Sequence, residues 1–93
     1  MILEEARKAL DRIDTQIAQL FCERLAVIDD IARSKAQTGV PIYHPEREAA
    51  VIENLLLQSD SSYEDALRAL YERVFEISRE RQRRLIASIS QDA

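Results

Sequence analysis

Apolar residues recur at helical spacing in the first part of the chain, between residues 2 and 36. They are Leu10, Ile13, Ile17, Leu20, Ile28 and Ile31. This spacing gives an α-helix one apolar face, and because no Gly or Pro interrupts the segment it predicts one long amphipathic helix. Gly39 can adopt the left-handed conformation that ends a helix, and Pro41 prevents its continuation.

A second helix is predicted to begin after this break. Pro45 suits the first turn of a helix, with His44 in the cap position before it. The apolar residues of this helix are Val51, Ile52, Leu55 and Leu56. The polar run QSDSS at residues 58–62 is expected to end it.

A third helix is predicted to follow that polar run and to extend to about residue 89. Either Ser62 with Asp65 or Ser61 with Glu64 has the spacing of a capping box at its start. Its apolar stripe includes Leu67, Val74, Leu85 and Ile89.

The composition agrees with an all-α fold. One Gly and two Pro among 93 residues are too few for the closely spaced turns of an all-β protein. The length fits a single domain comprising residues 1–93. The expected architecture is therefore a three-helix protomer with a long first helix, a short second helix and a third helix.

The length of the first helix predicts how copies of the chain assemble. A helix of this length spans roughly 50 Å at about 1.5 Å per residue, whereas a compact globule of this chain length is only roughly 30 Å across. A single copy cannot cover the whole helix. We therefore expect a second copy to pack on its far end, which would form an intertwined homodimer.

Charge and composition also narrow the possible functions. The net charge of −4 argues against nucleic acid as a partner, and the basic cluster at residues 79–84 contains an acidic residue, as a solvated helix face does. No apolar run has the length of a membrane span, so no membrane partner is expected. The single cysteine, Cys22, fits a reducing, cytoplasmic location. No cluster of metal ligands is evident, so no metal is expected.

Polar residues interrupt all three apolar stripes. They are Arg7, Arg24 and Lys35 in the first helix, Arg47 and Glu48 in the second, and Ser78 and Gln82 in the third. Burying such groups is unfavourable unless they are paired or bind a ligand. Four of the seven are cationic although the chain as a whole is acidic, so the pattern predicts a pocket for a small ligand with more than one negative charge.

Four stretches carry a resemblance to a known family. They are ARKALDRID at 6–14, CERLAVIDDIARSK at 22–35, PIYHPERE at 41–48 and ISRERQ at 77–82. In this order and spacing they resemble the all-helical AroQ class of chorismate mutases over nearly the full chain. The resemblance implies an interlocked homodimer with two active sites, a small dianionic substrate (chorismate) and no cofactor. Such domains also occur fused to a later enzyme of the aromatic pathway, which makes such an enzyme a further candidate partner.

The resemblance also implies a role for each polar residue of the stripes. Arg7 would enter the partner's site, and Arg24 would bind a substrate carboxylate within its own chain. Lys35 and Gln82 would donate hydrogen bonds to the ether oxygen of the bond that breaks.

The remaining implied roles concern the second and third helices. Glu48 would bind the ring hydroxyl, while Arg47 and Ser78 would lie near a carboxylate. His44 would also line the substrate site, where the family commonly has Asp. On this basis the expected catalytic residues are Lys35, Gln82, Arg24 and Glu48.

The implied reaction is the intramolecular [3,3] rearrangement of chorismate to prephenate, in phenylalanine and tyrosine biosynthesis. It requires the enolpyruvyl arm to be held over the ring and negative charge on the ether oxygen to be stabilised. Two alternatives remain open: an isochorismate-pyruvate lyase on the same scaffold, and a helical dimerisation module without activity. Glu48 within PIYHPERE favours the mutase over the lyase, and cations within the stripes favour a ligand-binding protein over the module.

Overall fold

The computed structural model describes residues 1–92, and their side chains as far as residue 90. It contains the helices α1 (Leu3–Thr38), α2 (Pro45–Leu57) and α3 (Glu64–Asp92), with a short 3₁₀ helix at Ser61–Tyr63 before α3. No strand occurs among these residues. The all-α fold class and the three predicted helices are confirmed.

The break between α1 and α2 forms as the sequence predicts. Gly39 has φ 72° in the left-handed region, and its N–H donates to the carbonyl of Lys35 at 2.8 Å. Pro45 occupies the first turn of α2, and His44 is its N-cap residue. Within the described structure the His44 side chain makes no capping hydrogen bond, which is consistent with the weak capping ability of histidine.

The start of α3 differs from the prediction of a capping box. Asp60, rather than Ser61 or Ser62, provides the cap. Its Oδ1 accepts hydrogen bonds from the Ser62 N–H at 2.9 Å and from the Ser62 hydroxyl at 2.8 Å. A carboxylate accepts hydrogen bonds more strongly than a hydroxyl. The Ser62 hydroxyl therefore acts as a donor and not as the capping acceptor. One 3₁₀ turn, Ser61–Tyr63, precedes the α-helix.

Helix α3 packs along the C-terminal half of α1, and the two helices run in the same direction. Contacts between Arg24 and Ser78 and between Lys35 and Gln82 establish this alignment. An ion pair between Asp29 of α1 and Arg81 of α3, at 2.6 Å, supports the same packing. The shorter α2 packs on α3 near Phe75.

The chain is long and thin, and its apolar core is small. It measures 57 × 26 × 15 Å with a radius of gyration of 16.7 Å, larger than the roughly 12 Å of a compact chain of this length. The apolar side chains that are buried are Ala32, Ile52, Val74 and Phe75. The apolar stripe of the N-terminal half of α1 faces solvent in the single chain, with Leu20 64% exposed.

Candidate functional site

A cavity of about 200 Å³ lies where the three helices meet. The polar side chains that line it are Arg24 and Lys35 from α1, His44, Arg47 and Glu48 at the start of α2, and Ser78, Arg79 and Gln82 from α3. Apolar walls come from residues such as Ile28, Val51 and Phe75. The structure therefore brings together every predicted site residue except Arg7.

Lys35 and Gln82 form a pair of hydrogen-bond donors in this cavity. The Lys35 ammonium donates to Gln82 Oε1 at 2.9 Å and to the Ile42 carbonyl at 3.2 Å. Because lysine can only donate, the Gln82 amide must present its oxygen to Lys35 and is left with its NH₂ group for another acceptor. The ammonium carries three N–H groups, so one remains beyond these two bonds. The pair can thus offer N–H groups from both residues to one ligand atom.

Burial constrains both members of this pair. Gln82 is 5% exposed, so its amide is held firmly by the surrounding helices. Burial also lowers the pKa of the Lys35 ammonium from its ordinary value, because desolvation disfavours the charged form. Lys35 is consequently a cation whose burial is unfavourable in the absence of a negatively charged ligand.

Arg24 is held in place by α3. Its Nη1 donates to the Ser78 hydroxyl oxygen at 2.7 Å, and that hydroxyl in turn donates to the Val74 carbonyl at 2.8 Å. The guanidinium carbon lies 5.7 Å from the centre of the Phe75 ring, within range of a cation–π interaction. Ser78 therefore orients Arg24, and the remaining guanidinium N–H groups can bind a carboxylate.

The first turn of α2 contributes an exposed cation and a half-buried anion. Arg47 lines the cavity with its side chain largely exposed. Glu48 is half-buried, and both of its carboxylate oxygens accept hydrogen bonds from Arg79 Nη1, at 2.7 Å for Oε2.

Arg79 is a site residue that the sequence analysis missed. The sequence predicts a solvated basic face over residues 79–84, which is correct for Arg83 and Arg84 but wrong for Arg79, which lines the cavity. Its guanidinium carbon also lies 4.7 Å from the centre of the Tyr43 ring. The signal was present in the sequence, because Arg79 precedes Gln82 by three positions and so shares its helical face.

Arg7 lies far from this cavity. It is exposed on the N-terminal part of α1, about 42 Å from Lys35 along the helix at about 1.5 Å per residue. No side chain can bridge that distance within one chain. Any contribution of Arg7 to such a site has to be made to another copy.

The side chains that line the cavity carry an excess of positive charge. Arg24, Lys35, Arg47 and Arg79 contribute four positive charges and Glu48 one negative charge. A larger recess of about 600 Å³ between α1 and α3 lacks this excess, because pairs such as Asp29–Arg81 and Glu80–Arg84 neutralise each other there. The smaller cavity thus has a net positive lining that suits a small, multiply negative ligand.

Across the described part of the chain, no group of three or more His, Cys, Asp or Glu side chains is placed to hold a metal ion. None of the helices within residues 1–92 has both the length and the apolar character needed to cross a membrane.

Comparison with known proteins identifies the family. Residues 6–83 match the family of type II chorismate mutases. This match covers most of the chain and includes every residue of the cavity. The chain belongs to the type II chorismate mutase family.

Individual relatives show the same similarity over part of their length. The chain is 42% identical over 53 residues to a chorismate mutase of Methanocaldococcus jannaschii, covering 57% of this chain and 54% of the relative. It is 35% identical over 60 residues to a T-protein of Haemophilus influenzae, covering 64% of this chain and 16% of the relative.

A third relative is named for two activities, chorismate mutase and prephenate dehydratase. The chain is 38% identical over 61 residues to a bifunctional chorismate mutase/prephenate dehydratase of Aquifex aeolicus, covering 66% of this chain and 17% of the relative. The matched segment thus spans from about a sixth to about half of these relatives. No solved structure gave a significant match.

Proposed function

We propose that this chain is a chorismate mutase, which converts chorismate to prephenate by an intramolecular [3,3] rearrangement. The observation that supports this most strongly is the Lys35–Gln82 pair, which places an ammonium donor and an amide donor side by side in a cationic cavity. Family membership and the chorismate mutase among its relatives support the same reaction.

The proposed mechanism uses positioning and electrostatics. Arg24, oriented by Ser78, binds one carboxylate of the substrate, and Arg47 lies near a carboxylate. Glu48 accepts a hydrogen bond from the ring hydroxyl, beside His44 at the edge of the cavity. Fixing the enolpyruvyl arm over the ring lowers the entropic part of the barrier.

Lys35 and Gln82 act on the bond that breaks. As the C–O bond lengthens, negative charge accumulates on the ether oxygen, and both residues donate hydrogen bonds to it. Preorganised donors of this kind stabilise the transition state more than the ground state, and losing one typically raises the barrier by about 3–4 kcal/mol. No nucleophile, metal or cofactor takes part in this mechanism.

The proposed active unit is an intertwined homodimer in which Arg7 enters the partner's site. An apolar groove of about 510 Å³ between α1 and α3 supports such an assembly, with Ile17, Leu20 and Leu70 at its surface. Exposed apolar patches of this kind are typical of protein–protein interfaces. A second α1 packed antiparallel along this face could deliver the distant Arg7 to the cavity.

Mixing two inactive variants tests the contribution of Arg7 across the dimer. Arg7→Ala chains have an intact cavity, and Lys35→Ala chains have an intact Arg7. If Arg7 acts in the partner's site, a mixed dimer regains one complete site, and an equimolar refolded mixture recovers about a quarter of the wild-type activity. A mixture as inactive as its components, although sedimentation shows mixed dimers, would contradict the proposal.

The reaction itself is tested by supplying chorismate and, separately, isochorismate, and by identifying the products. Prephenate from chorismate is the expected result. Salicylate and pyruvate from isochorismate, with little prephenate, would instead identify the lyase. Consumption of neither substrate would leave a helical dimerisation module as the better explanation.

We place the reaction in the cytoplasm and in aromatic amino acid biosynthesis, where prephenate is consumed by a further enzyme. One relative has prephenate dehydratase in its name, which supports association of this chain with a prephenate-consuming enzyme. Co-purification with such an enzyme, or a faster overall conversion when the two are mixed, is the expected result.

A further inference from the structure

Glu48 is not free in the cavity but is held by Arg79. One guanidinium nitrogen of Arg79 donates to both carboxylate oxygens, and the side chains are only 22% and 21% exposed. The hydrogen bond with Glu48 raises the pKa of Arg79 above its ordinary value. The pair is therefore a charge-assisted contact shielded in part from solvent.

Three elements of the fold converge on this pair. Glu48 comes from the first turn of α2 and Arg79 from the middle of α3, while Tyr43 belongs to the connection after α1. The Tyr43 ring packs against the Arg79 guanidinium at 4.7 Å, and such a contact restricts the arginine to one orientation. A glutamate side chain without these contacts would sample several rotamers.

The pair leaves Glu48 able to bind a ligand. Each carboxylate oxygen has two lone pairs, and Arg79 uses one on each. A hydroxyl group can therefore still donate to Glu48 while Arg79 remains bound. Arg79 also offsets the negative charge of Glu48, which would otherwise repel a ligand that carries two carboxylates.

We propose that Arg79 is a positioning residue, which together with Tyr43 fixes the Glu48 carboxylate for the substrate hydroxyl and offsets its charge toward the dianionic substrate. This inference rests on the proposed mutase function, and it assigns to Arg79 a role that acts through Glu48. Arg79 therefore has two distinct effects on the kinetics. Fixing Glu48 affects kcat, whereas a charge felt equally by bound substrate and transition state affects KM alone.

The test compares Arg79→Gln in two backgrounds. In the wild-type background we expect kcat to fall about tenfold, because the glutamate is no longer held in position. In a Glu48→Gln background the same change should leave kcat within about twofold, since there is no carboxylate to position. KM should rise in both backgrounds, because one positive charge is lost in each.

Two further variants serve as comparisons. Arg79→Lys keeps the charge but loses the planar guanidinium, so it should restore KM more fully than kcat. Arg81→Gln makes the same chemical change two residues away, where the arginine pairs with Asp29 outside the cavity. It should leave kcat and KM within about twofold of wild type.

Folding is checked separately from activity. Urea midpoints of Arg79→Gln, Glu48→Gln and the double variant should be non-additive, because either single change breaks the same pair. Additive midpoints would mean that the pair is not formed in solution, which would overturn the inference.

The kinetic outcomes distinguish this inference from the function on which it rests. If wild type produces no prephenate, the proposed function fails, and the role of Arg79 in that reaction fails with it. If wild type is active but Arg79→Gln lowers kcat equally in both backgrounds, Arg79 acts on the substrate directly and the inference alone is wrong. An unchanged kcat in both backgrounds would also overturn it.

Discussion

Replacing Gln82 by glutamate converts a permanent hydrogen-bond donor into one controlled by pH. An amide donates at any pH, whereas a carboxyl group donates only when protonated. Gln82 is 5% exposed and its oxygen already accepts from Lys35 at 2.9 Å. In Gln82→Glu one carboxyl oxygen would keep this contact, and the other would take the place of the NH₂ group that we assign to the ether oxygen.

The expected effect of this change is large. Loss of one preorganised donor raises the barrier by about 3–4 kcal/mol, which lowers the rate by a factor on the order of 10²–10³. The ionised carboxylate would also repel the negative charge that forms on the ether oxygen. Below the pKa of the introduced carboxyl the variant should be active. Above it, activity should fall about tenfold per pH unit toward a low plateau.

The assay is kcat/KM for chorismate across the acid and neutral range, expressed as the ratio of variant to wild type at each pH. Taking the ratio removes titrations that the two proteins share. Gln82→Met is the matched control, because it fills similar space without a donor and should be low at every pH. A ratio for Gln82→Glu that does not change with pH would remove Gln82 from the ether site.

Ser78, Lys35 and Asp29 each provide a further test. Ser78→Ala should raise KM for chorismate about tenfold, because Arg24 loses an acceptor whose charge-assisted bond is worth about 1.5 kcal/mol; an unchanged KM in steady-state kinetics would show that Arg24 is positioned without it. Because burial lowers the pKa of Lys35, the alkaline loss of activity should begin below the pH at which an ordinary lysine titrates; a pH–rate profile flat beyond that value would contradict this. The hydrogen bond from Arg81 lowers the pKa of Asp29, so the carboxylate stabilises the fold above its unfolded-state pKa, and this stabilisation is lost as pH falls through the lower folded-state pKa. Asp29→Asn should therefore be less stable than wild type at neutral pH and equally stable in strong acid, as measured by chemical denaturation.

Much of the fold could be predicted from local sequence. The amphipathic pattern of α1 is visible directly in the spacing of its apolar residues. The break between α1 and α2 depends on the backbone preferences of single residues, Gly39 and Pro45. The cap of α3 could not be predicted in the same way. Asp60 and the two serines after it all have capping side chains, and only the folded geometry decides which one accepts the hydrogen bond.

The candidate site was predictable to a similar degree. Lys35 and Gln82 stand out because burying a polar residue in an apolar stripe is unfavourable unless it is paired or binds a ligand. The structure places the two residues in direct contact. Arg79 was missed because it lies in a run of charged residues, where one inward-facing arginine resembles its solvated neighbours. The partner of its guanidinium, Glu48, is 31 positions away in sequence, and no local pattern reveals such a pairing.

The proposed role of Arg7 could not be derived from one chain, because the cavity lies far beyond the reach of its side chain. The same holds for the exposed apolar stripe of α1, whose pattern predicts burial that the single chain does not provide. We propose that a second copy accounts for both features, and their structural consequences depend on how that copy packs.

We propose that the cationic cavity catalyses the rearrangement through Lys35. Proton NMR can follow chorismate in the presence of wild-type protein, of Lys35→Met, and of no protein. We expect prephenate to form with wild type at a rate proportional to protein concentration, and Lys35→Met to be slower by a factor on the order of 10² or more. Conversion at the uncatalysed rate in all three samples, or equal rates with wild type and Lys35→Met, would contradict the claim.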